Sequence, residues 1–437
     1  MKTPSLISLL LFFFCQATAQ DWKVIGEFNS GVDCLYADEK SDLLYIGGAF
    51  ETVDGKTCYG VATWNGQQWG GLGYGVNYDT IPNTWGGGVS QITNYDDQLI
   101  VVGSFSHVGY FQKSRNVAIW NTDSLKWKTV DWKAEPLGSF DFVHDAGDTT
   151  FVLGTYDSIG GIASMGVNYL YQSRWSNMSP PDGAEIPKVL VSYQGSYYLG
   201  GNMNGSIPGA NDIARWDGVK FHPVGTGVSG GLGHVHDMIV YKDELYIGGS
   251  FTISTGHTGD YIMKWDGKQY HNVGNANWVV FDLEIHKGIL YAAGIFDTIN
   301  GVACNGIAWY DGENWNEIEY NHTKQITDIV FHNDTLYGQR NNGGKHEVLR
   351  YNGSLPNSIH GLPPKNSQYL VYPNPSSTTI SIKGLLPTDQ YQITNLQGKI
   401  LLLGKSPEIN TTTLNSGIYF VHIFSKHLTY TLKFIKQ

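Results

Sequence analysis

The segment Leu44-Tyr45-Ile46-Gly47-Gly48-Ala49-Phe50 returns further along the chain as Leu245-Tyr246-Ile247-Gly248-Gly249-Ser250-Phe251. The same pattern, an apolar strand with a glycine near its end and then a second apolar strand, recurs until a degenerate seventh copy. The aligned positions are Gly48, Gly103, Gly154, Gly201, Gly249, Gly294 and Arg340. Their spacings of 55, 51, 47, 48, 45 and 46 residues match the roughly 40–50 residues of a four-stranded propeller blade. The repeat predicts an all-β chain that contains a seven-bladed β-propeller.

Each repeat is predicted to hold four strands. In the first copy, Val32–Leu35 begins the blade, Trp64 ends the third strand and Gln68-Trp69 begins the fourth. We expect the second-strand glycine to leave room for an aromatic residue of the adjacent blade. The dipeptide after the third strand favours a type I′ hairpin turn. Its copies are Asn65-Gly66, Asp217-Gly218, Asp266-Gly267, Asp311-Gly312 and Asn352-Gly353.

An aromatic residue ends the third strand of every repeat. We expect these side chains to pack between blades, and the alternative is a surface on which sugars stack. The residues are Trp64, Trp120, Tyr171, Trp216, Trp265, Tyr310 and Tyr351.

The seventh repeat stops after Asn352-Gly353, whereas Asp21–Gly26 has the pattern of a fourth strand. The N-terminal strand is therefore predicted to complete blade seven, which would close the ring and remove an exposed edge.

The first residues have the pattern of a secretory signal peptide. Lys2 precedes an apolar run from Leu6 to Phe14, and Ala17-Thr18-Ala19 is a small-residue cleavage site. No other stretch reaches the roughly 18–20 apolar residues of a membrane helix. We predict a signal peptide at 1–19, a propeller at 20–362, a linker at 363–367 and a further domain at 368–437.

Charge and cysteine content exclude some classes of function and of fold. The formal net charge is −11, and residues 366–437 carry six Lys against one Asp and one Glu, so the remainder is still more acidic. Such a body argues against nucleic acid as a partner. After processing, Cys34, Cys58 and Cys304 remain, and an odd number excludes a full disulfide framework. We expect no Cys58–Cys304 bond, whereas a Cys34–Cys58 bond stays open.

Two resemblances follow from these motifs. The repeats over 21–362 resemble secreted kelch-like and galactose-oxidase-like propellers of Bacteroidota. The C-terminal blocks are similar to the type A sorting domain of type IX secretion. These blocks are Tyr372-Pro373-Asn374-Pro375, Asn395-Leu396-Gln397-Gly398-Lys399, Leu414-Asn415-Ser416-Gly417-Ile418-Tyr419 and Lys433-Phe434-Ile435-Lys436.

The second resemblance implies a small Ig-like β-sandwich that directs the chain from the periplasm through the outer membrane. It implies the type IX machinery and its sortase as partners. The sortase would remove the domain and attach the cargo to surface lipopolysaccharide. A surface or secreted location is therefore expected.

The glycine-rich loop Gly70–Gly88 contains Tyr74, Tyr78 and Trp85, and is the candidate site for a glycan or protein ligand. The alternative is an extracellular polysaccharide hydrolase or lyase at the channel mouth. Glycoside chemistry would need two carboxylates roughly 5–10 Å apart. The sequence favours a binding module over an enzyme.

Aspartates recur in the first strand of the repeats. The alignment places Asp33, Asp141, Asp237, Asp282 and Asp328 at one equivalent position, with Gln91 and Val189 in the other two repeats. They would either accept hydrogen bonds from backbone amides, which lowers their pKa, or form a ring that attracts a cation such as calcium. No other cofactor is predicted.

His234 and His236 share one face of a strand and are candidates for a metal site. A third ligand is not visible in the sequence.

Overall fold

The computed structural model describes residues 21–77, 88–95, 98–110, 112–130, 132, 138–147, 149–163, 166–178, 187–203, 207, 209–253, 258–318, 325–356, 370–372, 376–385, 389–395, 399–425 and 428–436. The predicted signal peptide and linker lie outside these residues. The chain divides into two compact units, Met1–Ser358 and Ile359–Gln437. The described residues form strands, turns and loops without a helix.

The N-terminal unit contains seven antiparallel sheets of at least four strands among its described residues. The sheets are named sheet 1 to sheet 7, and their strands are given in the order in which they pair. Sheet 1 contains Val32–Asp38, Leu43–Gly48, Val61–Trp64 and Trp69–Gly71, and sheet 2 contains Gly88–Tyr95, Gln98–Ser104, Val117–Asn121 and Lys126–Thr129. Sheet 3 contains Gly138–Asp145, Thr149–Tyr156, Gly166–Tyr171 and Arg174–Asn177, and sheet 4 contains Pro187–Tyr193, Ser196–Gly201, Ile213–Trp216 and Phe221–Pro223. Sheet 5 contains Val235–Tyr241, Glu244–Gly249, Ile262–Trp265 and Tyr270–Asn272; sheet 6 contains Val280–His286, Ile289–Gly294, Ile307–Tyr310 and Trp315–Glu317; and sheet 7 contains Asp328–His332, Thr335–Asn342, Lys345–Tyr351 and Trp22–Phe28.

Short strands decorate these sheets. Thr52–Val53 and Lys56–Thr57 extend sheet 7, and three further small sheets form in the connections. Their strands are Val76–Asn77 with His107–Val108 and Gln112–Lys113, Ser158–Ile159 with Ile162–Ala163, and Thr298–Ile299 with Val302–Ala303.

The sheets follow one another in a closed order. The first strand of each sheet contacts the first strand of the next, and that of sheet 7 contacts that of sheet 1. The hydrophobic clusters lie between neighbouring sheets; one joins Val235 and Phe251 of sheet 5 to Val189 and Tyr198 of sheet 4. The N-terminal unit is therefore an all-β, propeller-like fold.

The N-terminal strand completes sheet 7, as the repeat pattern predicted. Trp22 pairs with Tyr351 and Phe28 with His346 along the third strand. Trp69 of sheet 1 donates its indole N–H to the carbonyl oxygen of Ile25 at 2.7 Å. The N-terminal strand is thus joined to sheets on both sides.

This outer contact recurs between other sheets. A fourth-strand aromatic donates to a carbonyl oxygen at the end of the preceding sheet's outer strand, at 2.7–2.9 Å. The pairs are Trp127 with Leu72, Tyr270 with Val224 and Trp315 with Val273.

The predicted type I′ turn after the third strand is wrong. Trp64 pairs with Trp69, so the loop between them has four residues, and only Gly66 has a positive φ, of 89°. The Asn65 side-chain oxygen instead accepts the backbone N–H groups of Gln67 and Gln68. Asp217, Asp266 and Asp311 do the same in their repeats. The side chain caps the loop, so its own φ need not be positive.

The predicted reason for the second-strand glycine is also wrong. A Cβ on Gly48 would lie 2.2 Å from the carbonyl oxygen of Gly31, in the backbone that leads into the first strand of the same sheet. In the same way, a Cβ on Gly249 would lie too close to the carbonyl oxygen of His234, and a Cβ on Gly294 too close to that of Val279. The aligned glycine therefore permits a close approach between two backbone segments of one sheet. The next sheet instead contacts the residue before this glycine: a Cβ on Gly248 would lie 2.9 Å from Val280 of sheet 6.

The third-strand aromatics are mostly packed between sheets, as expected. Trp64, Trp120, Trp265, Tyr310 and Tyr351 are buried, Trp216 is half-buried, and Tyr171 is 42% exposed. Sheet 3 departs from the pattern because a two-residue turn at Gln172 and Ser173 follows Tyr171 directly.

Cys34, Cys58 and Cys304 are all free thiols. The open Cys34–Cys58 pairing is therefore not formed, and neither is a Cys58–Cys304 bond.

The C-terminal unit consists of two antiparallel sheets with a shared core. One sheet contains Leu370–Tyr372, Thr379–Lys383 and Glu408–Asn410; the other, in order of pairing, Ile400–Gly404, Gln390–Thr394, Gly417–Ser425 and Leu428–Lys436. Ile380 and Ile409 of the first sheet and Ile393, Val421 and Phe434 of the second are buried in one cluster. The unit has its own hydrophobic core.

Deleting residues 21–26 should destabilise the N-terminal unit, because the deletion removes buried Trp22 and the carbonyl that accepts from Trp69. We expect the melting temperature to fall by about 5 °C or more, since loss of a buried Trp alone costs about 3–5 kcal/mol. The matched control, Lys23→Ala with Val24→Ala, changes two exposed side chains of the same strand. Equal melting temperatures for the deletion and the control would contradict the role of this strand.

Candidate functional site

The five predicted aspartates do not occupy one position. Asp237 pairs with Gly248, Asp282 with Ala293 and Asp328 with Gln339. Each of these pairing partners lies one residue before the aligned residue of its repeat, which is Gly249, Gly294 or Arg340. In sheets 1 and 3 that place belongs to Cys34 and Phe142. Asp33 and Asp141 lie one residue earlier, in a β-bulge. The same bulge occurs in sheets 5 and 6, where His236 and Phe281 occupy the bulged position. The repeat pattern does not mark which residue is bulged, so two bulged aspartates were aligned with three regularly paired ones.

The position that Asp237, Asp282 and Asp328 share links one sheet to the next. The carboxylate of Asp237 accepts the backbone N–H of Leu283 at 2.9 Å. Asp282 accepts that of Ile329, and Asp328 accepts that of Leu35, both at 2.7 Å. Gln91 binds Val143 N–H at 2.7 Å, and Cys34 Sγ receives Ile92 N–H. We call this contact the inner clasp; it includes the step from sheet 7 to sheet 1.

The predicted lowering of the carboxyl pKa values is wrong. Burial, then repulsion from Asp282, raises the pKa of Asp237 to about 8. Burial raises the pKa of Asp282 to about 6 and that of Asp328 well above its usual range. A hydrogen bond between the two side chains lowers the pKa of Asp282 in part and adds to the rise in the pKa of Asp328. The loss of solvation outweighs the hydrogen bonds from the backbone.

Glu284 stands two residues beyond Asp282 on the same strand. Burial, then Asp282 and Asp237, raises its pKa to about 8. Asp237 and Glu284 therefore retain protons at neutral pH.

The bulged residues form a mixed set. Burial raises the pKa of Asp33 and of Asp141, and Lys188 of sheet 4 lowers the pKa of Asp141 in part. Burial, then Lys188 and His234, lowers the pKa of His236 to about 4. The bulged positions thus hold acidic Asp33 and Asp141, cationic Lys188 and neutral His236, and the predicted ring of five equivalent carboxylates is not formed. Calcium binding stays a prediction.

His234 and His236 lie near each other, with ring centroids 6.3 Å apart and planes 14° apart. His236 also packs on Phe281 of sheet 6 at 4.8 Å. Among the described residues, no group of three or more His, Cys, Asp or Glu side chains could hold a metal ion. The metal role of this pair stays a prediction.

The Gly70–Gly88 loop is described as far as Asn77, so Tyr78 and Trp85 lie outside the described residues. Gly73 and Gly75 have φ of +56° and +64°, and between them Tyr74 is 58% exposed. A Cβ on Gly75 would lie 2.1 Å from the carbonyl oxygen of Tyr59, so this turn requires glycine.

Val76–Asn77 then pairs with His107–Val108, which brings the loop against the connection between the second and third strands of sheet 2. Tyr110 lies in that connection and is 74% exposed. Its ring centroid is 5.3 Å from that of Tyr74, with 60° between the planes. The sequence analysis missed Tyr110, although its place in the repeat next to Gly109 could have indicated a turn.

These loops leave one end of the sheets. In an antiparallel sheet of four consecutive strands, the connection from second to third strand and that from fourth strand to the next sheet lie at the same end. We call this end the connection face. Tyr74 and Tyr110 both belong to it. A cavity of 550 Å³ near Lys40, Tyr45, Trp120 and Asp123 includes none of the predicted site residues.

No described segment forms a helix with the length and apolar content that crossing a membrane requires.

Residues 370–437 match the family model described as a secretion system C-terminal sorting domain. This confirms the predicted sorting domain of type IX secretion. The protein is therefore secreted to the cell surface or the extracellular space, as predicted. No curated protein matches the chain.

Three solved structures are similar to this chain. The extracellular domain of a putative one-component system from B. thetaiotaomicron is 11% identical, with 94% of this chain and 57% of that chain covered and a TM-score of 0.45. PorZ, a surface component of the type IX secretion system of Porphyromonas gingivalis, is 13% identical, with 93% and 51% covered and a TM-score of 0.33. The β-propeller domain of Cps50 from Myceliophteria thermophila is 8% identical, with 75% and 99% covered and a TM-score of 0.43. This chain thus spans just over half of the length of the first two.

The raised pKa values predict a pH dependence of stability. Between about pH 6.5 and 8, unfolded carboxyl groups are ionised whereas folded Asp237 and Glu284 still bind protons, so stability falls as pH rises. His236 is neutral in the folded state over this window, and in the unfolded state it loses its remaining proton above about pH 6.5, so its opposing contribution is confined to the lower end of the window. We expect the melting temperature to fall by about 2–4 °C per pH unit.

Asp237→Asn should reduce this slope, since the amide oxygen can still accept the N–H of Leu283. Glu39→Gln removes one exposed carboxylate and should leave the slope as it is. A slope that is the same in wild type and Asp237→Asn would refute the assignment.

Proposed function

We propose that this protein is an exported binding module, a seven-bladed propeller delivered by type IX secretion that holds a glycan on its connection face. The exposed pair of Tyr74 and Tyr110 carries the proposal. Binding residues concentrate in loops that a rigid scaffold holds in place, so we expect the binding site on this face.

The closed order of the sheets supports the propeller. Each sheet would be one blade, and the blades are joined at the inner clasp and at the outer aromatic contacts. The step from sheet 7 to sheet 1 has both kinds of contact. A ring joined in this way leaves only the short outer strands of its sheets as edges and holds its loops in fixed positions.

Two exposed tyrosines at contact distance favour a sugar ligand. Large aromatic side chains normally bury most of their surface, and a tilted exposed pair offers apolar faces with hydroxyl groups at their rims. The C–H face of a pyranose can pack on such rings while its hydroxyls stay hydrogen-bonded. Tyr78 and Trp85, the other predicted ligand-binding residues of this loop, lie outside the described residues. A protein ligand is the alternative outcome.

The enzyme alternative has less support. Asp237, Asp282 and Asp328 each use a carboxylate oxygen to bind a backbone amide of the next sheet. A carboxylate engaged in this way acts in the scaffold and is poorly placed to attack or protonate a substrate.

The C-terminal unit is proposed to be an Ig-like sandwich that the sortase removes after export. Its own core, formed by both sheets, supports folding as a separate domain. Cleavage would fall between Tyr351 of sheet 7 and Leu370 of the C-terminal unit, outside the described strands.

Replacing Tyr74 and Tyr110 together with Ala should weaken glycan binding by about tenfold or more, because both stacking faces are lost. The measurement is affinity electrophoresis in gels that contain neutral polysaccharides, namely cellulose ethers, xylan, mannan and soluble chitin derivatives. Tyr171→Ala, an exposed tyrosine at the opposite end of sheet 3, is the control. Retention of the double variant equal to that of wild type would rule out this site.

The mature surface or secreted form should lack about 70 residues at its C-terminus, because the sorting domain covers 370–437. Peptide mass spectrometry of culture supernatant and outer membrane measures this directly. Recovery of peptides from Gly417–Ser425 in amounts equal to those from sheet 1 would show that the domain is retained.

A further inference from the structure

A second aromatic pair, in which one ring is exposed and the other is half-buried, lies on the connection face in a different part of the ring. Trp278, between sheets 5 and 6, is 51% exposed. Tyr261, in the connection that leads into the third strand of sheet 5, lies with its ring centroid 6.0 Å from that of Trp278 and 38° between the planes. Ile253 of the same connection is 52% exposed.

The fold does not require an aromatic residue at Tyr261. Its carbonyl oxygen accepts the N–H of Gly249, and Gly60 and Gly306 do the same for Gly48 and Gly294 in their repeats. These three residues have positive φ, of 62°, 74° and 94°, and so do Asn116 and Asp212, at 60° and 57°, which accept the N–H groups of Gly103 and Gly201 in the same way. The repeats thus place Gly, Asn or Asp where sheet 5 has a tyrosine. Glycine adopts this conformation freely, whereas a bulky side chain there is strained. Strain that a repeat avoids elsewhere is a mark of a functional position.

The fold does not require tryptophan at position 278 either. The preceding Asn277 accepts the backbone N–H groups of Asp297 and Thr298 at 2.7 and 3.0 Å. Asn29 accepts those of Glu51 and Thr52, at 2.9 Å each, in the first repeat. The residue after Asn29 is Ser30. The same connection is therefore built with a small side chain in place of the indole.

Polar groups beside the pair are fixed in position. Asn275 uses its side-chain oxygen to accept Asn272 Nδ2 at 3.0 Å and the N–H of Asp260 at 3.3 Å. Asn275 and Asn277 are both exposed. Because their oxygens are engaged, their NH₂ groups are held ready to donate to a ligand, which reduces the entropy cost of binding.

The negative charge near this pair favours neutral sugars over acidic ones. Asp260 lies close enough to Tyr261 to raise the pKa of its phenol, after burial. A carboxylate beside the rings repels uronic and sialic acids, and the acidic body of the chain adds to this repulsion.

We infer that Tyr261, Trp278 and the amides of Asn275 and Asn277 form a second binding site, which takes a neutral pyranose unit of a glycan. The two rings stack on the C–H faces of the sugar, and the amides donate to its hydroxyl oxygens. This site extends the proposed function, and it does not need the Tyr74–Tyr110 site in order to act.

The test reverts each aromatic to the residue that another repeat carries, as Trp278→Ser and Tyr261→Gly in the full chain. Isothermal titration uses cellohexaose, xylohexaose, mannohexaose and chitohexaose, with hexagalacturonate as the anionic comparison. We expect wild type to bind a neutral hexasaccharide at two sites per chain, and each variant to lose one site or to weaken it about 30-fold. Tyr372→Ala, which changes an exposed tyrosine of the C-terminal unit, should keep both sites. Hexagalacturonate should not bind.

Thermal melts separate binding from folding. Trp278→Ser should melt as wild type does, and Tyr261→Gly should melt at the same or a higher temperature, because strain is relieved. If Trp278→Ser loses stability, Tyr261→Gly decides the matter.

Each outcome discriminates between the two sites. Loss of one site in Trp278→Ser, with no change in the Tyr74→Ala/Tyr110→Ala variant, supports the inference and refutes the first site. The reverse result overturns the inference and leaves the proposed function standing. Absence of binding to every neutral hexasaccharide by wild type overturns both.

Discussion

The N-terminal unit depends on hydrogen bonds between neighbouring sheets at the inner clasp. A bulge interrupts the ladder of the first strand, and a backbone amide beside it needs another acceptor. Asp237, Asp282 and Asp328 supply that acceptor from the preceding sheet, and Asp328 does so across the step that closes the ring. The same region brings the backbone before the first strand onto the second strand, which is why Gly48 cannot carry a side chain. Bulge and glycine occur together, whereas sheet 7 has neither and its Ile329 still donates to Asp282, so the acceptor is the feature that these steps share.

Placing acidic side chains at the inner clasp is unfavourable for their ionised form, because it removes carboxylates from water. Burial raises the pKa of Asp237 and Glu284 to about 8, so ionisation is opposed by the fold at neutral pH. The hydrogen bond between Asp282 and Asp328 favours the ionised form of Asp282 and the protonated form of Asp328. Gln91 makes the same link without a charge.

The loops of the connection face do not hold the sheets together, because the sheets are joined through their first strands and through outer aromatics such as Trp69. Its loops can therefore vary between repeats without loss of the ring. Sheet 5 places Tyr261 where sheet 1 has Gly60, and Trp278 follows an asparagine that Ser30 follows elsewhere. A rigid ring with variable loops suits the binding of a repeating polymer, since separate sites on one face can act on one chain.

The sequence by itself determined the strand order, the strand that completes sheet 7 and the sorting domain. Period, alternation and turn residues are local properties, and Trp22–Phe28 pairs with Lys345–Tyr351 as its pattern predicted. Only the tertiary structure decided that Cys34 and Phe142, rather than Asp33 and Asp141, share the position of Asp237. It also decided that Tyr74 meets Tyr110 and that Tyr261 meets Trp278. A bulge changes register without a mark in the repeat, and contacts between loops depend on backbone paths that side-chain periodicity does not encode.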